Sequence, residues 1–238
     1  MKCFKLISAA IVIILPISVN AAILNITGNI TEISSPLSVE SGALESSTSS
    51  FVFAEQQSYL LTSDLAVDLD MSSSSFGAGS ILSGTKVNSY FFHFDPLGDS
   101  NIKDELSNIS VGEGVITFDS PILGVIWTGA ACSSPCPESP MNLDASDYLG
   151  ATGTVYPTNG FERGLENDDY YLFNTFEHDA LTITTDPATT LIIIAHTYPA
   201  AYDQLRIITA APVPIPPTIW LLGSGLLSLI GLAKRKRV

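Results

Sequence analysis

The chain has 238 residues and sets 24 acidic side chains against 10 cations, a formal net charge of −14. Lys2, Lys5 and the run Lys234, Arg235, Lys236, Arg237 lie at the ends, so residues 22–210 hold four cations (Lys86, Lys103, Arg163, Arg206) and all 24 acids, a balance of −20. A surface that acidic repels nucleic acid and anionic membranes and favours counter-cations, while a stretch of this length can bury one sizeable core.

At the N-terminus, Lys2 and Lys5 lead into an apolar run at 6–17, followed by Val19-Asn20-Ala21. A positive start, a short apolar middle and small residues at −3 and −1 make a secretory signal peptide. The run is too short to span a bilayer. Residues 1–21 are therefore expected to be removed, with cleavage after Ala21. Cys3 precedes the apolar run, so it is not a lipoprotein cysteine.

From residue 22 onward the pattern is that of strands. Leu24, Ile26, Gly28 and Ile30 alternate with Asn25, Thr27, Asn29 and Thr31, which predicts one half-buried strand. Residues 34–50 are rich in serine and poor in large apolar side chains, and are expected to form a loop. Leu65, Val67, Leu69 and Met71 alternate with Ala66, Asp68 and Asp70, a second strand, and 72–80 reads as another loop. Residues 87–94 (VNSYFFHF) are aromatic-rich and suit a pleated surface. Strands at 115–118 and 122–127 flank Asp119-Ser120-Pro121, which carries turn chemistry. Leu181 and Ile183 mark a further strand. Residues 191–196 form an apolar run of strand length, and 205–209 close the region. Many short strands separated by Gly, Pro, Asn and Asp predict an all-β sandwich or barrel over 22–210.

Cys132 and Cys136 flank Ser133-Ser134-Pro135. Outside the cytoplasm two near cysteines are expected to pair, and the small loop limits the stabilisation. Zinc would need two further ligands close by, and the spacing is not that of a Cys-x-x-Cys redox motif.

The C-terminal end has its own order. Val213, Pro214, Pro216 and Pro217 belong to a stiff proline-rich linker at 211–217. Residues 218–233 (TIWLLGSGLLSLIGLA) carry no charge and, as a helix, rise about 24 Å, just short of a hydrocarbon core. Flanking residues and local thinning make up the difference, so one transmembrane helix is expected there. The basic residues of 234–238 (Lys234, Arg235, Lys236, Arg237) hold that end on the cytoplasmic side of the inner membrane. The acidic region then lies outside.

This tail resembles the PEP-CTERM sorting signal of Gram-negative bacteria: a proline motif, the helix start Trp-Leu-Leu-Gly-Ser-Gly-Leu-Leu and a basic end. The usual Pro-Glu-Pro is replaced by Pro214-Ile215-Pro216, closer to the Val-Pro-Leu-Pro-Ala variant. The resemblance implies that an exosortase-type membrane protease cuts near the proline motif. It also implies association with the outer surface, exopolysaccharide and biofilm matrix. The stretches SYFFHFDPLG (89–98), GVITFDSPILGVI (114–126), LDASDYLG (143–150) and YDQLRIIT (202–209) are similar to a domain many such proteins carry. That similarity implies a jelly-roll-like β-sandwich.

Chemistry-bearing residues are plentiful but not arranged in a known motif. His93 and His196 fall in strands, on faces expected to be solvated or partly buried. The sequence holds no Gly-x-Ser-x-Gly elbow outside 218–233, no phosphate loop and no His-Glu-x-x-His. Asp144 with Asp147, and Asp95 with Asp99 and Asn101, are candidate Ca²⁺ ligands; turn capping is the competing reading. Asp168-Asp169 and Asp144-Asp147 are carboxylate pairs of the kind glycosidases use, yet 24 acids produce chance pairs. The expectation is a non-enzymatic surface or matrix protein. The alternatives are an exopolysaccharide-binding module, for which an aromatic platform at Tyr156, Phe161, Tyr170 and Tyr171 would speak, and a glycoside or ester hydrolase.

Overall fold

The computed structural model describes residues 22–72, 75–97, 110–127, 143–158, 164–165, 179–184, 188–197 and 202–212. Residues 1–21, read above as a signal peptide, Cys132 and Cys136, the proline motif with Val213, the 218–233 stretch and the basic tail lie outside the described residues. So do Asp99, Asn101, Phe161, Asp168, Asp169, Tyr170, Tyr171 and His178. Asn20–Pro212 is one compact unit. Among the described residues no helix is long and apolar enough to cross a membrane.

The unit is all-β, as its alternating apolar pattern requires. The strands are β1 (Ile23–Gly28), β2 (Ile30–Glu32), β3 (Ser50–Ala54), β4 (Tyr59–Leu60), β5 (Leu65–Ser72) and β6 (Ser75–Ile81). They continue with β7 (Lys86–Phe94), β8 (Ser110–Phe118), β9 (Ile122–Ile126), β10 (Ala180–Ile183), β11 (Thr190–Thr197) and β12 (Asp203–Ala210). A 3₁₀ helix, Asp144–Leu149, lies between β9 and β10. The hydrogen-bonded order is β1-β8-β11-β10-β5-β9-β12-β7-β3-β2, with β4 on β7 and β6 on β5. Pairing is antiparallel except between β2 and β3.

Two arms emerge from this order, β1-β8-β11-β10 and β9-β12-β7-β3-β2, joined through β5. Both contribute to one apolar core. Ile116, Phe118, Leu181, Leu191 and Ile193 come from the first arm; Val52, Tyr90, Phe92, Phe94, Leu205 and Ile207 come from the second. The Tyr90 and Phe118 rings meet across it with centroids 4.9 Å apart. Each fully buried large side chain removes about 1.5–3 kcal/mol worth of apolar surface from water.

Several sequence expectations are corrected. The strand expected across 24–31 is broken at Asn29. β1 lies on β8, whereas β2 leaves to run beside β3. Gly28 makes the corner at φ +86, and a Cβ there would sit 2.3 Å from the Glu113 carbonyl oxygen. A bulge between Ile23 and Asn25 turns Leu24 outward, to 64% exposure. In β5 the alternation reverses where a second bulge follows Asp68: Asp68 is buried and Leu69 is exposed. The loop expected over 72–80 is largely strand β6, paired with β5 from Leu65↔Ile81 onward. Ladder hydrogen bonds outweigh its weak strand propensity, and Gly79 leaves room for Leu69, whose Cγ would be 2.9 Å from a Cβ. Residues 33–49 hold no strand beyond an isolated bridge at Ser38, but Ser50–Ala54, read in part as loop, is β3. The Asp119-Ser120-Pro121 turn joins strands that do not pair: β8 bonds β1 and β11, β9 bonds β12 and β5.

Candidate functional site

Alternation along β12 gives it two different faces. Leu205 and Ile207 enter the shared core; Ile208 belongs to a second apolar cluster with Phe53, Phe91, Ile126, Leu143 and Leu149. Gln204 and Arg206 share the face of Ile208, because side chains two apart in a strand point the same way. Ser89, Phe91 and His93 occupy the matching face of β7, with Arg206 opposite Phe91 in register. The segments 33–49 and 143–158 contribute Val39, Leu143 and Leu149 to this cluster.

Arg206 is wholly buried. Its Nε donates to Glu55 Oε2 at 2.7 Å and its Nη2 to Glu55 Oε1 at 2.9 Å, a bidentate pair. Nη2 also donates to Asp147 Oδ1 at 3.2 Å. Nη1 donates to the Leu143 carbonyl at 3.2 Å and to the Ser146 hydroxyl. These engage all five guanidinium N–H groups. Glu55 accepts two more bonds, from the Ser89 hydroxyl at 2.5 Å and the Tyr156 hydroxyl at 2.6 Å. The guanidinium lies over the Phe91 and Tyr156 rings, 5.2 and 5.5 Å from their centroids.

The electrostatics follow from burial and pairing. Burial alone would lower the Arg206 pKa, but the Glu55 charge, the hydrogen bonds to it and Asp147 hold it above its ordinary value. Burial, then the Glu55 carboxylate, push the Tyr156 phenol upward, so it stays a neutral donor. An ion pair like this is strongly destabilising to break, because one partner is left charged in a dry site.

A second polar group lies further along the same face. Gln204 Nε2 donates to the Val39 carbonyl at 2.7 Å and bonds His93 Nδ1 at 3.0 Å. The amide N–H is the donor, so Nδ1 accepts and the ring proton resides on Nε2. That Nε2 is buried without a hydrogen-bond partner. His93 is thus fully buried, not on a solvated or partly buried face, and burial lowers its pKa to about 3. Two residues on, Asp95 accepts the Gly42 N–H at 2.8 Å and is 2% exposed. Burial raises its pKa to about 6, opposed by the Gly42 bond and aided by Glu45.

Asp144 and Asp147 lie on the 3₁₀ helix rather than in an open loop. Asp147 turns to Arg206, with its side chain 30% exposed. Among the described residues no group of three or more His, Cys, Asp or Glu converges on a point where a metal would sit. Tyr156 is not an open platform: its hydroxyl is bonded to Glu55 and Ala151, and its ring edge meets Phe91 at 5.1 Å. The structure instead pairs Tyr59 with Tyr148, which the sequence reading missed. Their centroids are 5.8 Å apart and inclined by 48°, and Tyr148 is 45% exposed.

No protein-family model matches the chain, and no curated protein or solved structure does. Three of the four stretches that carry the resemblance meet at Arg206. Residues 89–98 supply Phe91 and, through Glu55, Ser89; 143–150 supply Leu143, Ser146 and Asp147; 202–209 supply Arg206 itself. What they build clamps the 3₁₀ helix to β12. With its donors engaged, Arg206 offers no N–H to a substrate. His93 bonds Gln204 and no serine, so no nucleophile–base pair forms at this histidine.

Proposed function

We propose that the chain is an exported, non-enzymatic surface or extracellular-matrix protein whose C-terminal end is a sorting signal. The observation that carries this reading is the order of the tail: Val213, Pro214, Pro216 and Pro217, then the uncharged 218–233, then Lys234 to Arg237. The apolar helix spans the inner membrane only as an intermediate. Proline keeps the preceding chain extended and unpaired, which is the form an exosortase-type protease needs to reach the backbone. A permanent anchor requires the helix and the cations but not the prolines. The domain before it is read as a jelly-roll-like sandwich; the two arms packed on one core support that reading.

Replacing Pro214 and Pro216 by Ala should leave insertion intact and block processing, so that a larger membrane-bound form accumulates. Mass spectrometry of the mature wild-type protein decides the matter. If the KRKRV end is still attached in every cell fraction, the sorting reading is wrong and the chain is a plain single-pass anchor. N-terminal sequencing should begin at Ala22, and non-reducing mass spectrometry should find Cys132 and Cys136 joined. A carbohydrate-binding reading is favoured by one specific observation, the exposed Tyr148 ring beside the half-buried Tyr59; a hydrolase reading gains no such support from the described residues.

A further inference from the structure

We infer that Tyr59 and Tyr148 form a binding site for an uncharged glycan, which deepens the matrix reading above by naming the class of partner. Tyr59 comes from β4, held by its pairing with Val87 of β7. Tyr148 comes from the 3₁₀ helix, which Arg206 holds at Leu143, Ser146 and Asp147. The site and the buried clamp are therefore one construction: the guanidinium fixes the short helix, and the helix presents the ring. A surface aromatic that must be ordered on binding loses part of its interaction energy to entropy, and a pre-positioned one does not.

Three features select the ligand class. An aromatic face is electron-rich, and the C–H face of a pyranose is its complement, while the tyrosine hydroxyls can bond sugar hydroxyls. Two tyrosines are far too small for a stable protein interface, which buries about 1,200–2,000 Å² in total. Charge excludes acidic polysaccharides: residues 22–210 carry four cations against 24 acids, and Arg206, one of the four, is buried and fully engaged. Anionic chains would be repelled on approach. The 48° inclination of the rings leaves them not coplanar, so successive sugars must be rotated relative to each other. A coiled glucan meets that requirement better than a flat ribbon.

The test is calorimetric titration of the full chain with laminarihexaose (coiled and uncharged), cellohexaose (flat and uncharged) and an oligogalacturonate (anionic). Laminarihexaose should bind, cellohexaose more weakly and oligogalacturonate not at all. Tyr148→Ala and Tyr59→Ala should each weaken laminarihexaose by about tenfold or more, and Tyr148→Phe, which keeps the ring and loses the hydroxyl, should weaken it less than Tyr148→Ala. In the unmodified protein, saturation applied at tyrosine ring protons should transfer to the sugar, a readout that needs no variant. Absence of laminarihexaose binding, unchanged affinity in both alanine variants, or equal binding of oligogalacturonate would overturn the site. A failed titration leaves tail processing untouched, and an unprocessed tail leaves the titration untouched, so the two readings fail separately.

Discussion

On one side of β12, Leu205 and Ile207 meet Phe92, Phe118 and Ile193 in a core shared by both arms. On the other side, Gln204 and Arg206 are equally buried, yet they are held by hydrogen bonds to segments that are not strands. The apolar side tolerates any well-packed arrangement of suitable volume. The polar side is directional. Five N–H groups must each find an acceptor, and only one placement of the 3₁₀ helix supplies Leu143, Ser146 and Asp147 together. The comparison shows how a two-armed apolar core and a precisely seated surface segment arise from opposite faces of the same strand.

The largest expected effect breaks the polar side alone. Arg206→Met or Glu55→Gln should lose about 3–5 kcal/mol of unfolding free energy, because the remaining partner is left without its counterpart in a dry site. Chemical denaturation measures this. Glu55→Met with Arg206→Met should recover much of the loss, since two apolar groups leave no buried charge. Hydrogen exchange across 143–158 should nevertheless be faster in the double variant, because nothing then directs the helix. Slow exchange there would show that apolar packing alone seats it. On the other side of the strand, Leu205→Ala should lose about 2–5 kcal/mol through the cavity it opens and leave exchange in 143–158 no faster relative to the rest of the domain.

A finer contrast lies between His93 and Asp95. The histidine pKa is lowered to about 3 from 6.5, so the unfolded chain binds its proton first and stability falls as pH drops through that interval. Asp95 is raised to about 6 from 3.8, so the folded chain binds the proton first and stability rises as pH drops through its own interval. Each contributes up to about 1.4 kcal/mol per pH unit, with opposite sign, so between about pH 4 and 6 the two should nearly cancel. Relative to wild type, Asp95→Asn should lose stability on acidification across that window. His93→Gln should gain it. Unfolding midpoints at three pH values suffice, and parallel curves for all three proteins would refute the compensation.

The smallest expected effect concerns Ca²⁺. Asp144 and Asp147 are far from the six to eight oxygens the ion takes, and one Asp147 oxygen is held by Arg206. Asp144→Ala should therefore leave the difference between melting curves in EDTA and in millimolar Ca²⁺ as it is in the wild type. A hundredfold excess over Kd would stabilise by about 2.7 kcal/mol, so a Ca²⁺-dependent rise of several degrees that this variant abolishes would revive calcium binding through these two residues.

How legible each region was follows from where its determinants lie. The strands at 87–94, 191–196 and 205–209 were readable because aromatic and β-branched runs of that length declare themselves within a few residues. Even so, Ile192 ended 40% exposed inside a continuous apolar run, because its neighbours across the ladder are Val115 and Thr182 on an outer face. Three misreadings (24–31, 65–71 and 72–80) turn on bulges, a corner and an edge pairing, which depend on a partner strand distant in sequence. The candidate site was less legible still. Arg206 sits in the apolar window LRIIT, and nothing local says that its counter-ion is Glu55, 151 positions away.

By itself, the sequence determined the all-β class of the 22–210 region, its acidity, and the ordered tail of prolines, apolar span and cations, because composition and period are properties of short windows. Only the tertiary structure decided which polar side chains were buried, that Asp147 faces a guanidinium, that the Tyr156 hydroxyl is tied to Glu55, and that the exposed Tyr148 ring meets the half-buried Tyr59. Those outcomes depend on hydrogen bonds and contacts between segments far apart in the chain, and the energy of such contacts exists only once the segments have been brought together.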